Sequence, residues 1–140
     1  LCRLNSLCAD FDRTTGDALH VTFASNVAAG DPPAALRDEP RKLAIFRIVQ
    51  EALHNVIDHS DATAVQVSLT QKLGSPRKGQ LRLAITDNGR GFNRDARRNR
   101  DEPGGMGLFS MRQRADETGG GFRLSSLPGE GAEVEVFWPA

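Results

Sequence analysis

Four polar side chains stand at helical spacing beside an apolar run between residues 45 and 57. They are Glu51, Asn55, Asp58 and His59. At about 100° per residue, they form one polar stripe along the edge of a buried helix face. Glu51 and Asn55 are one turn apart and offer a carboxylate and a neutral amide oxygen, which suits Mg²⁺ when water or phosphate oxygens complete its ligands. A nearby carboxylate could also accept a proton or orient a nucleophile. Taken alone, the stripe is equally typical of a solvated helix face.

A second group of residues lies where an alternating apolar run ends in glycines. The sequence D-N-G-R-G-F occupies residues 87–92, directly after Thr86. A strand that opens into a glycine turn places a side chain at the mouth of a pocket while its backbone stays close to a ligand. Asp87 can accept a hydrogen bond from an amino group such as the exocyclic amine of adenine. The alternative is a turn without a ligand, because D-x-G-x-G alone is a weak motif.

The third group is the run G-G-M-G-L at residues 104–108, which opens a predicted helix. Backbone N–H groups at the start of a helix, left accessible by glycine, form an anion site. A flexible hinge leading into a helix is the alternative. The run matches neither the phosphate-binding motif G-x-x-x-x-G-K-[ST] nor the dinucleotide-binding motif G-x-G-x-x-G after a first strand.

The elements that must position these residues follow from apolar periodicity. The main helix is predicted by apolar residues at i, i+3, i+4 and i+7 spacing, with Pro40 in its first turn and Asp38 or Glu39 as its cap. Its apolar positions are Ile45, Ile48, Val49, Ala52, Leu53, Val56 and Ile57. A shorter helix carries Leu4, Leu7, Cys8 and Phe11 and stops near Gly16, and another carries Leu108, Met111, Arg112 and Ala115 and stops at the glycines 119–121.

Alternation predicts the strands. They lie over Leu19–Phe23, Val65–Leu69, Leu81–Ile85, Phe122–Leu127 and Glu133–Trp138. The second and third are expected to form a hairpin, and the last two flank a turn at Pro128-Gly129. Residues 25–38 are predicted to form a loop. The segment 87–105 is too long and irregular for an ordinary connection, which is typical of a lid, a binding loop or a disordered segment. The pattern predicts an α+β fold with helices on one face of a mainly antiparallel sheet.

The overall composition narrows the possible functions. Apolar residues make up 39% of the chain and charged residues 26%, with a formal net charge of zero. The 140 residues suit one domain, predicted over residues 1–140. Nothing in the charge argues for nucleic acid or anionic lipid as a partner, and no apolar run is long enough for a membrane span. Cys2 and Cys8 match neither a metal-binding nor a disulfide pattern. The first residue is Leu1, so we expect a piece of a longer protein.

The order and spacing of the three groups resemble the N, G1 and G2 boxes of the GHKL ATPases. Within these, the chain is similar to the catalytic, ATP-binding domain of two-component sensor histidine kinases, over about residues 15–138. The stretches 50–60 and 107–114 are similar to the subgroup that contains the nitrate/nitrite sensors. The resemblance implies the Bergerat (GHKL ATPase) fold, a two-layer α/β sandwich with a mixed, mostly antiparallel sheet covered on one face by helices.

The resemblance also implies a role for each matched residue. Asn55 would coordinate the Mg²⁺ that bridges the ATP phosphates, and Glu51 would be the catalytic helper near the γ-phosphate. Asp87 would bind the adenine amine. The nucleotide-contacting residues implied in this way are Asn55, His59, Asp87, Gly89, Gly91, Gly105, Gly107 and Leu108. ATP and Mg²⁺ are the expected cofactors, and the γ-phosphoryl group would pass to a histidine.

The implied partners are an acceptor-histidine dimerisation domain of the same protein, whose helices are not in this sequence, and indirectly a response regulator. We expect no nucleic acid and no membrane contact by this part of a cytoplasmic protein, although the parent protein could be anchored. Two positions depart from the family pattern. Asp58 stands where a Lys or Arg is common, and Ala132 where a Thr often follows Gly131; both changes should weaken nucleotide binding. These two departures favour, as an alternative, a GHKL-fold binding module that is not catalytic. A serine kinase of the anti-sigma-factor type, which has the same fold, is a further alternative.

Overall fold

The structure is a computed structural model that describes residues 2–27, 36–59, 61–72, 79–89, 105–126 and 131–139. Its helices are α1 (Cys2–Thr15), α2 (Glu39–His59) and α3 (Gly105–Glu117), with one 3-10 turn at Gly16–Ala18. Its strands are β1 (His20–Ser25), β2 (Ala64–Lys72), β3 (Gln80–Asp87), β4 (Gly121–Ser126) and β5 (Ala132–Pro139). All three predicted helices and all five predicted strands are therefore present in the described part of the chain.

The described strands form one sheet in the order β1-β2-β3-β5-β4. β1 runs parallel to β2, and the other neighbouring pairs are antiparallel. This confirms the predicted antiparallel pairing of β2 with β3 and of β4 with β5. β3 is the central strand, so that its carboxyl end is flanked by β2 on one side and β5 on the other. A residue at this end is held by neighbours from both directions.

The core lies between one face of the sheet and the helices. Alternate residues of the central strands point into it, and Val67, Leu69, Leu83 and Val136 have no exposed surface. Trp138 at the end of β5 is also fully buried. Helix α2 contributes Ile48, Val49 and Leu53, which are equally inaccessible to solvent. Since α1 packs on β1, α2 on β2 and β3, and α3 on β4, the helices form one layer, as the predicted α+β sandwich requires.

Helix α2 begins as the sequence predicts. The Asp38 carboxylate accepts a hydrogen bond from the backbone N–H of Arg41 at 3.1 Å, which satisfies one of the amide donors that a helix start leaves without a partner. Pro40 lies in the first turn, where its missing N–H removes no helical bond. The predicted apolar face was wrong at one position, because Ile57 is 42% exposed. It is four residues after the buried Leu53 but lies in the last turn of α2, beside the exposed Asp58.

The other two helices also follow their sequence signals. In α1, Leu4 and Cys8 are buried, and burial raises the pKa of the Cys8 thiol to about 11. Gly16 ends this helix with a φ of +59°. Helix α3 starts at Gly105, three residues before the predicted first apolar position, and its end is followed by Gly119 with a φ of +79°. None of the described helices is both long and apolar enough to cross a membrane.

Candidate functional site

Asp87 is the last residue of β3, and its side chain is only 8% exposed. It pairs with Val65 of β2 and with Ala132 of β5. Because side chains alternate along a strand, Asp87 shares its face with Leu83 and Ile85, which is the face that the helices cover. A carboxylate thus lies at the open end of the central strand, on the inner side of the sheet.

Two backbone N–H groups hold the Asp87 carboxylate. The amide of Gly89 donates to Oδ1 at 2.8 Å, and the amide of Ala132 donates to the same carboxylate. Burial raises the pKa of Asp87 above its ordinary value, and these two donors oppose that rise. A carboxylate offers about four acceptor positions, so one that accepts two backbone bonds retains capacity for a further donor. The Asp87 carboxylate is therefore able to accept a hydrogen bond from a ligand amine.

Asn55 lies on the sheet-facing side of α2 and is likewise 8% exposed. Its Nδ2 atom is inaccessible to solvent and has no hydrogen-bond partner among the described residues. A buried polar group without a partner costs about 1–3 kcal/mol of folding free energy. Such a group in a native protein calls for an explanation, and a bound ligand that completes its hydrogen bonds would supply one.

The predicted polar stripe on α2 runs from the interior to the solvent. Asn55 is buried, Glu51 is half-buried and Asp58 is exposed. The side chain of His59 lies outside the described residues, so its predicted contact with the nucleotide stays a prediction. His54 takes no part in the stripe, because its ring makes an edge-on contact with Phe11 at a centroid distance of 5.1 Å. The stripe is therefore not simply a solvated helix face.

The predicted site glycines are described to different extents. Gly89 is buried and uses its N–H to hold Asp87. Gly105, Gly107 and Leu108 form the first turn of α3, which confirms that the run G-G-M-G-L opens a helix; what surrounds them lies outside the described residues. Gly91 also lies outside the described part of the chain. Their roles in binding phosphate stay predictions.

The structure adds Gly131, the residue directly before Ala132. Its φ is +85°, and a Cβ built there would lie 2.2 Å from the carbonyl oxygen of Asp87 and 3.2 Å from Cα of Asn88. Only glycine allows this close approach of two backbones. Gly131 therefore allows the start of β5 to lie close to the end of β3. There the amide of the next residue, Ala132, donates to the Asp87 carboxylate. The only sequence signal was a glycine two residues before the last predicted strand.

Two other features of the described residues do not belong to this site. No group of three or more His, Cys, Asp and Glu side chains in the described ranges could hold a metal ion. A cleft of about 300 Å³ lies between α1 and α2 and contains none of the predicted site residues. It is lined by Arg3, Ser6, Leu7, Asp10 and Phe46.

Comparison with known proteins places these residues in a family. The pattern of the family described as histidine kinase-, DNA gyrase B-, and HSP90-like ATPase matches residues 41–140, a range that includes all the predicted site residues. The sensor histidine kinase LiaS of Bacillus subtilis is 44% identical over 95 residues, which cover 68% of this chain and 24% of that protein. The sensor protein VraS of Staphylococcus aureus is 42% identical over 95 residues, covering 68% and 25%. The chain thus spans about a quarter of the length of these curated relatives.

Solved structures agree on the fold. The histidine kinase domain of the blue-light activated histidine kinase EL346 from Erythrobacter litoralis superposes with a TM-score of 0.67 at 23% identity, covering 97% of this chain and 58% of that one. At this identity the likeness concerns the fold alone. The match of the family pattern over residues 41–140 shows that the chain belongs to the histidine kinase-, DNA gyrase B- and HSP90-like ATPases.

Proposed function

We propose that this chain is the ATP-binding catalytic domain of a sensor histidine kinase, and that it transfers the γ-phosphoryl group of ATP to a histidine on a separate helical domain. The observation that carries the proposal is the Asp87 carboxylate, buried at the end of the central strand and fixed by two backbone amides. The family match and the names of the relatives support the same assignment. The nitrate/nitrite-sensor subgroup stays a prediction.

Asp87 would recognise the adenine base. A carboxylate that is already oriented by Gly89 and Ala132 can accept the 6-amino group of adenine without first losing conformational freedom. A base that carries an oxygen in place of the 6-amino group would place a hydrogen-bond acceptor against the buried Asp87 carboxylate, which is also an acceptor. Such a base should therefore bind more weakly. The site should therefore prefer ATP over inosine triphosphate, which differs from ATP in this group.

Asn55 would hold Mg²⁺ beside the phosphates. The chemistry of this side chain fits the ion: the Asn55 carboxamide is buried, its Oδ1 oxygen would be the ligand of Mg²⁺, and its Nδ2, which has no partner among the described residues, would donate to a phosphate oxygen. Mg²⁺ uses few protein ligands and takes its other oxygens from water and phosphate. When bound, the ion would neutralise negative charge on the phosphates.

The contribution of the protein to phosphoryl transfer would be positioning. Asp87 would fix the base, and the backbone N–H groups in the first turn of α3 would receive the phosphates, as helix starts do. Glu51, half-buried and one turn before Asn55, would orient the attacking histidine or accept its proton. Alignment of two reactants in this way accounts for much of the rate in phosphoryl transfer.

The acceptor would be a dimerisation domain of the same protein, and the phosphoryl group would then pass to a response regulator. Both partners are inferred from the relatives, of which LiaS is named as a sensor histidine kinase and VraS as a sensor protein, and this chain covers about a quarter of each. A cytoplasmic location and a membrane-anchored parent also stay predictions.

The test is calorimetric titration of the 140-residue chain with a non-hydrolysable ATP analogue and Mg²⁺. We expect saturable binding that Asp87→Asn lowers by at least about tenfold, because the amide replaces a charged acceptor by a neutral one. Thr86→Val is the matched control. Thr86 is the preceding residue of β3, and its hydroxyl donates to Glu133 on the uncovered face at 2.9 Å, so this change should leave affinity unaltered.

Transfer is then measured by adding the acceptor-histidine domain of the parent protein and labelled ATP. Phosphohistidine on that domain would support the kinase. Phosphoserine would indicate the anti-sigma-factor type of kinase, and absence of nucleotide binding at millimolar concentration would indicate a non-catalytic module.

A further inference from the structure

The side chain of Asn88 connects the end of β3 to the start of β2. Its Oδ1 accepts hydrogen bonds from the backbone amides of Thr63 at 2.9 Å and Ala64 at 3.0 Å. Its Nδ2 donates to the hydroxyl of Thr63 at 2.9 Å, and its own backbone amide donates to the carbonyl of Ala64 at 3.2 Å. We call this set of contacts the Asn88 clasp.

The clasp lies between the two residues that define the carboxylate site. Asn88 follows Asp87 directly, and Gly89, the next residue, returns its N–H to Asp87 Oδ1 at 2.8 Å. The position of this donor depends on the backbone conformation of Asn88. Three side-chain hydrogen bonds, two with backbone amides and one with the Thr63 hydroxyl, restrict that conformation. A side chain without these bonds would leave the backbone of Asn88 free to fluctuate.

The segment that receives the clasp is itself held in place. Thr63 accepts a hydrogen bond from the amide of His20 through its carbonyl at 2.9 Å, which ties it to β1. It follows the end of α2 by only a few residues, and the connection includes Asp61 in a left-handed conformation with a φ of 55°. The helix that carries Asn55 therefore leads directly into the segment that anchors the strand end carrying Asp87.

We propose that Asn88 is a positioning residue of the nucleotide site: through Thr63 and Ala64 it aligns the Gly89 amide that orients the Asp87 carboxylate toward the adenine amine. The role in nucleotide binding rests on the proposed function. Asn88 need not touch the nucleotide, because it acts through the residues on either side of it. Its removal should affect discrimination of the base more than the stability of the fold.

The chain offers a matched control at the opposite end of the sheet. Asn26 also bridges two strands with an exposed carboxamide: its Oδ1 accepts from the amide of Gln71 at 2.7 Å, and its Nδ2 donates to the carbonyl of Gln71 at 3.2 Å. Gln71 lies at the end of β2 opposite to Ala64. Asn26→Ala therefore removes a comparable bridge without touching the segment around Asp87.

The experiment compares wild-type chain with Asn88→Ala, Thr63→Val and Asn26→Ala. Affinities for the magnesium complexes of ATP and inosine triphosphate are measured by calorimetry, and the titration of the Asp87 carboxyl is followed by ¹³C NMR in the absence of nucleotide. For Asn88→Ala we expect ATP binding weaker by about fivefold to tenfold, with little change for inosine triphosphate. The pKa of Asp87 should rise, because the carboxylate loses a well-aligned donor.

Thr63→Val preserves the β-branched shape and both amide contacts while it removes only the hydroxyl, so it should produce a smaller change in the same direction. Asn26→Ala should change neither quantity. The proposal is overturned if Asn88→Ala and Thr63→Val leave the Asp87 titration and the preference for ATP at the values of Asn26→Ala. If Asn88→Ala does not fold, Thr63→Val decides by the same two measurements. A wild-type chain that bound no ATP would contradict the proposed function, and the NMR titration would still decide whether Asn88 orients Asp87.

Discussion

Gly131 allows a quantitative test of how β5 approaches the carboxylate site. In Gly131→Ala, the new Cβ would lie 2.2 Å from the carbonyl oxygen of Asp87 and 3.2 Å from Cα of Asn88. The nearest obstruction is backbone, which cannot rotate away as a side chain can. The two strand ends would have to separate by roughly 0.8 Å to reach the closest distance, 3.0 Å, that real Cβ atoms show.

Two costs add at this position. A residue with a Cβ in the left-handed region loses about 1–2 kcal/mol relative to its preferred conformation, and forcing extra atoms into a packed site costs about 1–3 kcal/mol. We therefore expect Gly131→Ala to lower the free energy of unfolding by about 2–5 kcal/mol. It should also weaken ATP binding, because the Ala132 amide moves away from Asp87.

Gly16 and Gly119 are matched controls. Gly16 has a φ of +59° with no atom within 4 Å of a built Cβ, and Gly119 has a φ of +79° with only the flexible guanidinium of Arg41 at 3.5 Å. Gly16→Ala and Gly119→Ala should therefore show only the conformational cost of about 1–2 kcal/mol. Urea unfolding followed by circular dichroism measures all three. If Gly131→Ala were no less stable than the two controls, the close approach of β5 to Asp87 would be refuted.

Two further predictions concern the buried polar groups of the site. ATP affinity should fall as the pH decreases and Asp87 becomes protonated, and this should occur at a pH above the ordinary pKa of 3.8, because burial raises the pKa of Asp87. The free energy of unfolding without nucleotide should rise over the same decrease in pH, since burial favours the protonated form of Asp87. Calorimetry and urea unfolding across pH test both signs, and an unchanged pH profile in Asp87→Asn would show that another group titrates. Asn55→Leu should abolish binding of the Mg²⁺ complex of ATP. The free energy of unfolding should stay equal or rise by about 1 kcal/mol, because the buried Nδ2 has no partner among the described residues and the substitution removes the cost of burying it. A large loss of stability in this variant would mean that the amide has a structural partner.

Much of the fold could be predicted from local patterns. The i, i+3, i+4 spacing identified α2, and alternation identified β2 and β3, because a helix or strand with one buried face must repeat its apolar residues at the period of its geometry. Asp38 and Gly16 predicted helix ends, because the Asp carboxylate can accept a hydrogen bond from a free helix amide and Gly can adopt a positive φ. The error at Ile57 has a related cause: periodicity places a residue near the apolar face, whereas its exposure depends on whether another element covers that turn of the helix, and Ile57 lies in the last turn of α2.

Among the candidate site residues, Asp87, Gly89 and Asn55 could be predicted from sequence alone, since a strand that ends in a glycine turn and an amide on the edge of an apolar helix face are local features. The burial of Asn55 and Asp87 was decided by the tertiary structure, because it depends on the packing of helices against the sheet. The pairing of the Asp87 carboxylate with the Ala132 amide could not be read from the sequence either, as it depends on the register between β3 and β5.

The sequence by itself thus determined the types of its elements and the residues able to do chemistry, because both depend on short-range spacing. The tertiary structure decided how Gly131 and the Asn88 clasp hold the carboxylate. These contacts join residues that are distant along the chain, such as Asn88 and Thr63, and they form only when the strands align. The spacing of neighbouring residues does not predict that alignment, because the register of the strands is set by the burial of the whole apolar face of the sheet.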